Sequence, residues 1–293
     1  MTFPAQPPPL PGVVHTDVRV DRARWHVATA GEPDAPPILL LHGWPQNWWI
    51  WRRMIPALAK TRRVYAPDLR GFGWSDAPDG RYSKMGLACD VERLLDELGI
   101  ERADLVGHDW GGMAAWLTAI RAPERVRTLS VFSIIHPWPA LGSDLRTTLR
   151  TLYMPVLGTP GLGPSIVRRP AAMRRLIPRA AAPGFRFDTQ DLALYADGWA
   201  RPGHARATSA LYRTFVTREL AGLLRGRYAN RRVTAPTLLA TGALDPIVTP
   251  ERVAGAEAHV DDLRTAVIEG AGHFVADEKP AEMLDLILAA VTR

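Results

Sequence analysis

The segment Gly107-His108-Asp109-Trp110-Gly111-Gly112 constrains this chain more than any other. Ala103-Asp104-Leu105-Val106 before it reads as a short buried strand, and Met113 to Ala122 after it reads as a helix. Small residues on both sides of one polar residue, between a strand and a helix, are what a sharp elbow needs. Its turn leaves no room for a Cβ at the flanking positions and lifts the central side chain clear of the sheet. Here that side chain is a carboxylate. A carboxylate nucleophile attacks electrophilic sp³ carbon and leaves an ester on the protein, which a second step must hydrolyse. The plainer reading of Asp109 is an N-cap for the helix that follows. Matches elsewhere in the chain weigh against it.

Ala235-Pro236-Thr237-Leu238-Leu239-Ala240-Thr241-Gly242 is a strand pattern ending in glycine, and Asp245 follows in the loop. A further strand, Leu263 to Glu269, runs into Gly270-Ala271-Gly272-His273-Phe274. Nucleophile, acid and histidine thus occur in that chain order on successive strand ends, the order of the hydrolase fold. His15, His26, His204 and His259 lack such a context and are expected at the surface. Upstream, Pro37-Ile38-Leu39-Leu40-Leu41 is an apolar run suited to a strand buried on both faces, and it ends in His42-Gly43-Trp44-Pro45. In this scaffold the loop after that strand and the residue after the nucleophile each supply one backbone N–H to an oxyanion hole. Those residues are Trp44 and Trp110.

With these stretches, together with Ala66-Pro67-Asp68-Leu69-Arg70-Gly71-Phe72-Gly73-Trp74-Ser75-Asp76, the chain resembles the α/β-hydrolase-fold epoxide hydrolases from about Val13 to its end. The resemblance implies a mostly parallel central sheet flanked by helices, with an inserted helical cap. About a hundred residues separate the strand Val126 to Ile134 from the one near Pro236, far more than an ordinary αβ loop. The expected organisation is a core over 1–136 with a Pro-rich arm over 1–12, a cap over 137–230, and the rest of the core over 231–293. Epoxide hydrolases of this fold use two cap tyrosines to hydrogen-bond the epoxide oxygen. Leu152-Tyr153-Met154-Pro155 and Leu211-Tyr212-Arg213 resemble those segments, which points to Tyr153 and Tyr212.

The implied reaction is hydrolysis of an apolar epoxide by water. Asp109 forms the ester, His273 oriented by Asp245 activates water, Trp44 and Trp110 hold the oxyanion, and Trp44, Trp110 and Phe274 line the substrate site. No metal or organic cofactor is implied. Haloalkane dehalogenases share the nucleophile and the Trp after it, and a non-catalytic binding protein on the same scaffold is the remaining class. Fluoroacetate dehalogenases carry Arg after the nucleophile, where this chain has Trp110.

Composition fits one catalytic domain with a cap in a 293-residue chain. The net charge of +6 and pI near 9.9 would ordinarily suggest nucleic acid. Basic residues are 33 Arg and 3 Lys, scattered along the chain, which reads as a solvated surface rather than a nucleic-acid footprint. Trp44, Trp48, Trp49 and Trp51 cluster around the oxyanion loop, with Trp110 at the elbow, and suggest an aromatic pocket, whereas Trp25 and Trp116, and with them Trp51, also read as core. Cys89, the sole cysteine, sits at an apolar helix position and is expected in the core. The chain has no apolar run of membrane-spanning length and no charged-then-apolar start, so a cytoplasmic protein without membrane contact is expected.

Overall fold

The computed structural model describes residues 3–139 and 150–292. The expected cap residues 140–149 and both chain ends lie outside them. Eight strands form one sheet in the order β1-β2-β4-β3-β5-β6-β7-β8. They are β1 (Val14–Val20), β2 (Ala23–Ala30), β3 (Pro37–Leu41), β4 (Arg63–Pro67), β5 (Ala103–His108), β6 (Val126–Phe132), β7 (Thr237–Gly242) and β8 (Leu263–Ile268). Only β2 runs against the others; the remaining pairs from β4 to β8 are parallel. From β3 the chain steps one way to β4 and the other way to β5. Ligands bind outside the carboxyl ends of strands at such a switch point.

Helices α1 (Ile55–Leu58), α2 (Lys84–Glu97) and α3 (Trp110–Arg121) follow the early strands. Helix α2 starts where Ser83 Oγ accepts the Gly86 N–H, buries Leu87, Ala88, Val91, Leu94 and Leu95 along one face, and ends at Gly99 with φ +69. Helix α3 packs on α2, β5 and β6. Strand β5 is buried throughout, as its apolar run requires when helices flank the sheet. Strand β6 stops at Phe132, two residues before the expected Ile134, because Ser133 turns the chain with φ +50.

Between β6 and β7 the described chain is helical: α4 (Tyr153–Gly158), α5 (Leu162–Val167), α6 (Pro170–Leu176), α7 (Thr189–Asp197), α8 (Pro202–Thr214) and α9 (Leu220–Leu224), with a π-helical turn over Phe215–Glu219. Helix α8 packs against α4 and α5 and buries Ala205, Thr208, Leu211 and Tyr212. After β8 come α10 (Val275–Glu278) and α11 (Pro280–Val291).

Two buried polar clusters tie this helical insertion to the core. In the first, Arg52 donates to Asp277 Oδ1 at 2.9 Å and to Asp191 of α7, Trp49 Nε1–H donates to Asp191 Oδ1 at 2.7 Å, and Gln46 donates to Asp277 Oδ2 at 2.7 Å. Burying two carboxylates is tolerable only with such donors. In the second, Lys84 Nζ donates to the Leu211 carbonyl at 2.9 Å and lies 3.3 Å from Glu219, which the π-helical turn brings into reach.

Several sequence expectations are corrected here. His26 lies inside β2, buried, with Nδ1 hydrogen-bonded to Asp68 at 2.8 Å, and His204 is buried against the Ser75 carbonyl. Arg52 is interior rather than solvated, because its two carboxylate partners are. Cys89 is half-buried rather than in the core: it lies beside, not on, the stripe α2 buries. The Pro-rich arm is extended but docked: the Phe3 ring lies 4.5 Å from Trp74 and 4.3 Å from the Arg201 guanidinium, and Trp74 Nε1–H donates to the Pro4 carbonyl.

Candidate active site

Asp109 sits between β5 and α3 with φ 51 and ψ −126, a backbone conformation that costs on the order of 1–3 kcal/mol for a non-glycine residue. Neighbouring contacts hold it there: its N–H donates to the Phe132 carbonyl of β6 at 3.1 Å, and its carbonyl accepts from Met113 at 3.0 Å. Two glycines make the approach possible. A Cβ on Gly43 would lie 2.3 Å from Asp109 Oδ1, and one on Gly111 would lie 2.3 Å from the Leu41 and His42 carbonyls. The Asp109 side chain caps no helix N–H. Instead its Oδ1 accepts the Trp44 N–H at 2.7 Å and its Oδ2 lies 3.7 Å from His273 Nε2. The N–H of Trp110, the other expected oxyanion donor, makes no hydrogen bond to Asp109 among the described residues.

His273 is fixed from three sides. Its Nδ1–H donates to Asp245 Oδ2 at 2.9 Å, which leaves Nε2 facing Asp109. Asp245 is itself held by the Ile247 and Val248 N–H groups, at 2.8 and 2.9 Å. The backbone on either side of His273 is clasped by Glu278, whose carboxylate accepts from Gly272, Phe274 and Ala182 at 2.7 to 2.8 Å. The His273 N–H donates to the Ala180 carbonyl, and its own carbonyl accepts the Nε2–H of His108 at 2.7 Å. Burial, with His273 next, lowers His108 to about 4, so it remains a neutral donor. For His273 burial also disfavours charge, but the carboxylates of Asp245 and Asp109 outweigh it and raise the imidazole to about 10. The unreacted site therefore holds an imidazolium beside its carboxylates.

Tyr153 opens α4 and Tyr212 lies near the end of α8. Their rings are 5.7 Å apart, and both pack on the Trp44 indole, at 6.3 and 5.4 Å. Burial, reinforced by the charge of Asp109, pushes both hydroxyls above their ordinary range and keeps them protonated donors. Trp110 packs edge-on to Tyr212 and lies 4.4 Å from Lys84 Nζ.

A cavity of about 250 Å³ opens over Asp109, lined by Trp44, Tyr153, Ile177, His273 and Phe274 among others. The aromatic cluster expected around the oxyanion loop does not form its wall as a group. Trp44 lines it, but Trp48 packs on His15 and His26, Trp51 is fully buried and Trp49 turns to Asp191. The 3₁₀ turn over Trp48–Trp51 directs the Trp48 and Trp51 rings inward and leaves Trp49 half-buried. A larger surface hollow of about 360 Å³, bounded by Pro78, Tyr82, Pro160 and Arg206, contains none of the candidate residues. Five positions now in or behind the site had no assigned role from sequence: His108, Lys84, Glu278, Arg150 and Arg179. His108 lies inside the elbow motif, and Glu278 follows His273 at a spacing that suits a loop clasp; the other three carry no sequence signal.

The chain matches the family described as alpha/beta hydrolase fold over residues 36–280. It is 29% identical over 284 residues to the soluble epoxide hydrolase of Corynebacterium sp. (strain C12), covering 94% of this chain and 96% of that protein. It is 30% identical over 321 residues to epoxide hydrolase A of Mycobacterium tuberculosis, again covering 94% and 96%. The solved structure of the epoxide hydrolase CorEH without ligand superposes with a TM-score of 0.85 at 28% identity, covering 96% of this chain and 99% of that one. With a sheet and an elbow of this form, and relatives matched over nearly their whole length, the chain belongs to the epoxide hydrolases of the alpha/beta hydrolase fold.

Proposed function

We propose that this protein hydrolyses an epoxide to a vicinal diol through a covalent ester on Asp109, under a cap formed by the helical insertion. The observation that carries the reading is a carboxylate in the strained elbow, within 3.7 Å of an imidazole that Asp245 orients. Asp109 attacks one epoxide carbon, the ring C–O bond breaks, and the oxygen that leaves carbon takes up alkoxide charge. Tyr153 and Tyr212 are the hydroxyl donors for that oxygen. Preorganised donors in a water-excluded site are each worth roughly 3 to 4 kcal/mol in the barrier.

The proton count closes without a cofactor. Before reaction Asp109 is anionic and His273 carries a proton near a value of about 10. Esterification neutralises Asp109 and removes one of the two charges that hold that proton, so it can leave for the alkoxide through the tyrosine hydroxyls. Neutral His273 then takes a proton from water while the water oxygen attacks the Asp109 ester carbonyl. The Trp44 N–H supports the resulting oxyanion, joined by the Trp110 N–H. Collapse frees the diol and returns carboxylate and imidazolium to their starting state.

Halide displacement has less support. Trp44 lines the cavity and, among the described residues, buries an indole N–H without an acceptor, as a halide cradle would need, but Trp25, Trp48, Trp51 and Trp116 do the same away from it, and Trp110, expected in the wall, is not among the residues that line it. The decisive variant is His273→Gln, which should allow alkylation and stall hydrolysis, so intact-protein mass spectrometry should find an adduct that maps to Asp109. Asp109→Ala should form none and should lose at least about a thousandfold in turnover while keeping its circular dichroism. An adduct on any other residue, or 1-bromobutane consumed faster than every epoxide tried, would replace this reading.

A further inference from the structure

The half-buried carboxylate of Glu278 has no ion pair among the described residues, and the three hydrogen bonds it accepts all come from backbone N–H groups. Its neighbour Asp277 instead faces the Arg52 guanidinium. Glu278 Oε2 accepts from Gly272 at 2.7 Å and from Ala182 at 2.8 Å, and Oε1 accepts from Phe274 at 2.8 Å. The Glu278 N–H also donates to the Phe274 carbonyl at 2.9 Å, so Phe274 is held at both ends. Two of the three donors flank His273 in the core. The third, Ala182, belongs to the helical insertion.

The insertion meets the same loop at two further points. The His273 N–H donates to the Ala180 carbonyl at 2.9 Å, and Gly272 lets the insertion come so close that a Cβ there would lie 2.4 Å from the Ala182 nitrogen. This stretch of the insertion also carries Ile177 and Ala180, which with Phe274 line the cavity over Asp109. The wall that a substrate touches and the loop that carries the imidazole are therefore one bonded unit, with Glu278 at the joint. Asp109 is fixed separately, by the Phe132 carbonyl and the Trp44 N–H. Loosening the joint shifts His273 and leaves the nucleophile in place.

We propose that Glu278 is a positioning residue for the second half-reaction alone: by locking the His273 loop to the insertion it sets where the imidazole meets the attacking water, and it has no share in forming the ester. This role rests on the epoxide reading above. Ester formation uses the Asp109 carboxylate and the tyrosine hydroxyls, whereas a base misplaced by about 1 Å can lose roughly a hundredfold in rate.

The test separates the two steps. Protein in excess is mixed with styrene oxide, quenched at intervals, and the rise and decay of the Asp109 ester are followed by intact-protein mass spectrometry. Glu278→Gln keeps the shape but turns an amide –NH₂ toward N–H groups that need an acceptor. The ester should rise at the parent rate and decay roughly ten- to hundredfold more slowly, the range of hydrogen bonds to charged groups. In steady state kcat/KM, which reports ester formation, should stay within about twofold of the parent. A variant that is merely part-folded would instead lose kcat/KM and show parent-like decay of whatever ester it forms. Gly272→Ala leaves the carboxylate intact and pushes Ala182 off the loop, so it should slow the same decay, and it carries the test should Glu278→Gln fail to fold. Ester decay at the parent rate in either folded variant, or a rise slowed as much as the decay, overturns the role of Glu278. Absence of any ester from the parent and from His273→Gln alike would overturn the epoxide reading, and this role with it.

Discussion

The two sides of the cavity are built by different means. On the core side, Asp109, Asp245 and His273 stand at or just beyond the ends of β5, β7 and β8, and core backbone groups fix the first two: the Phe132 carbonyl and the Trp44 N–H on Asp109, the Ile247 and Val248 N–H groups on Asp245. On the insertion side, Tyr212 lies on α8, which the Lys84 side chain ties to the core through the carbonyl of Leu211, and Arg52 ties the neighbouring α7 through Asp191. Strand ends inherit their geometry from the sheet. Helices laid across them acquire theirs from a few long-range polar ties, so function on that side should yield more readily to substitutions remote from the chemistry.

The largest effect that could break this division comes from the tyrosines. Tyr153→Phe and Tyr212→Phe each keep the ring and remove only a hydroxyl, and each should slow epoxide opening about a hundredfold or more. The double variant should form no ester in a His273→Gln background. If the adduct appears there at the parent rate, the insertion supplies shape alone and the chemistry belongs entirely to the core.

Next is the charge balance of the core side. Since His273 is raised to about 10, the imidazolium beside ionised Asp109 persists through neutral and mildly alkaline pH. Then kcat/KM should stay level and fall as pH rises through about 10. Asp245→Asn removes a carboxylate that opposes the effect of burial, so this limb should move to lower pH, and a limb that stays in place would take Asp245 out of the pair. Stability follows the same sign: a raised folded value contributes fully below the unfolded histidine value of about 6.5 and is lost as pH climbs toward the folded one. The melting midpoint of the parent should therefore decline across that window more than that of His273→Gln.

A smaller effect is expected from Lys84, which touches no reacting atom in this scheme. Burial, opposed by Glu219, lowers it to about 8, so at neutral pH it is mostly charged. Lys84→Met deletes the tie to Leu211 beside Tyr212, and should reduce kcat roughly tenfold with KM nearly unchanged, in line with a lost hydrogen bond from a charged group. Unchanged kcat in a folded variant would show that α8 is positioned by packing alone. The smallest change should come from Cys89→Ser, half-buried and remote from both sides, at within about 0.5 kcal/mol of parent stability and with full activity.

Why some of this was legible in the chain and some was not follows from where the information lies. β3 runs from Pro37 to Leu41 as the apolar run suggests, and Asp109 stands in the turn that its glycines require, because both are dictated by residues within a few positions. His26 illustrates the opposite case. Nothing around it announces burial; Asp68, forty-two residues away, makes it an interior group. Arg52 is interior for the same reason, through Asp191 and Asp277, and the inward turn of Trp48 and Trp51 depends on how one short 3₁₀ segment meets the sheet.

The sequence by itself determined β3, β5, β6, β7 and β8, the elbow and the chain order of carboxylate, acid and histidine, since local sterics and hydrophobic periodicity act over short stretches; β1, β2 and β4 emerged only with the structure. Only the tertiary structure decided how far His273 stands from Asp109 and that Lys84 and Glu278 brace the candidate site. Those facts depend on which distant residues the crossovers and the helical insertion bring together, and on charges whose effect is set by burial and by one another. No short window of sequence carries either.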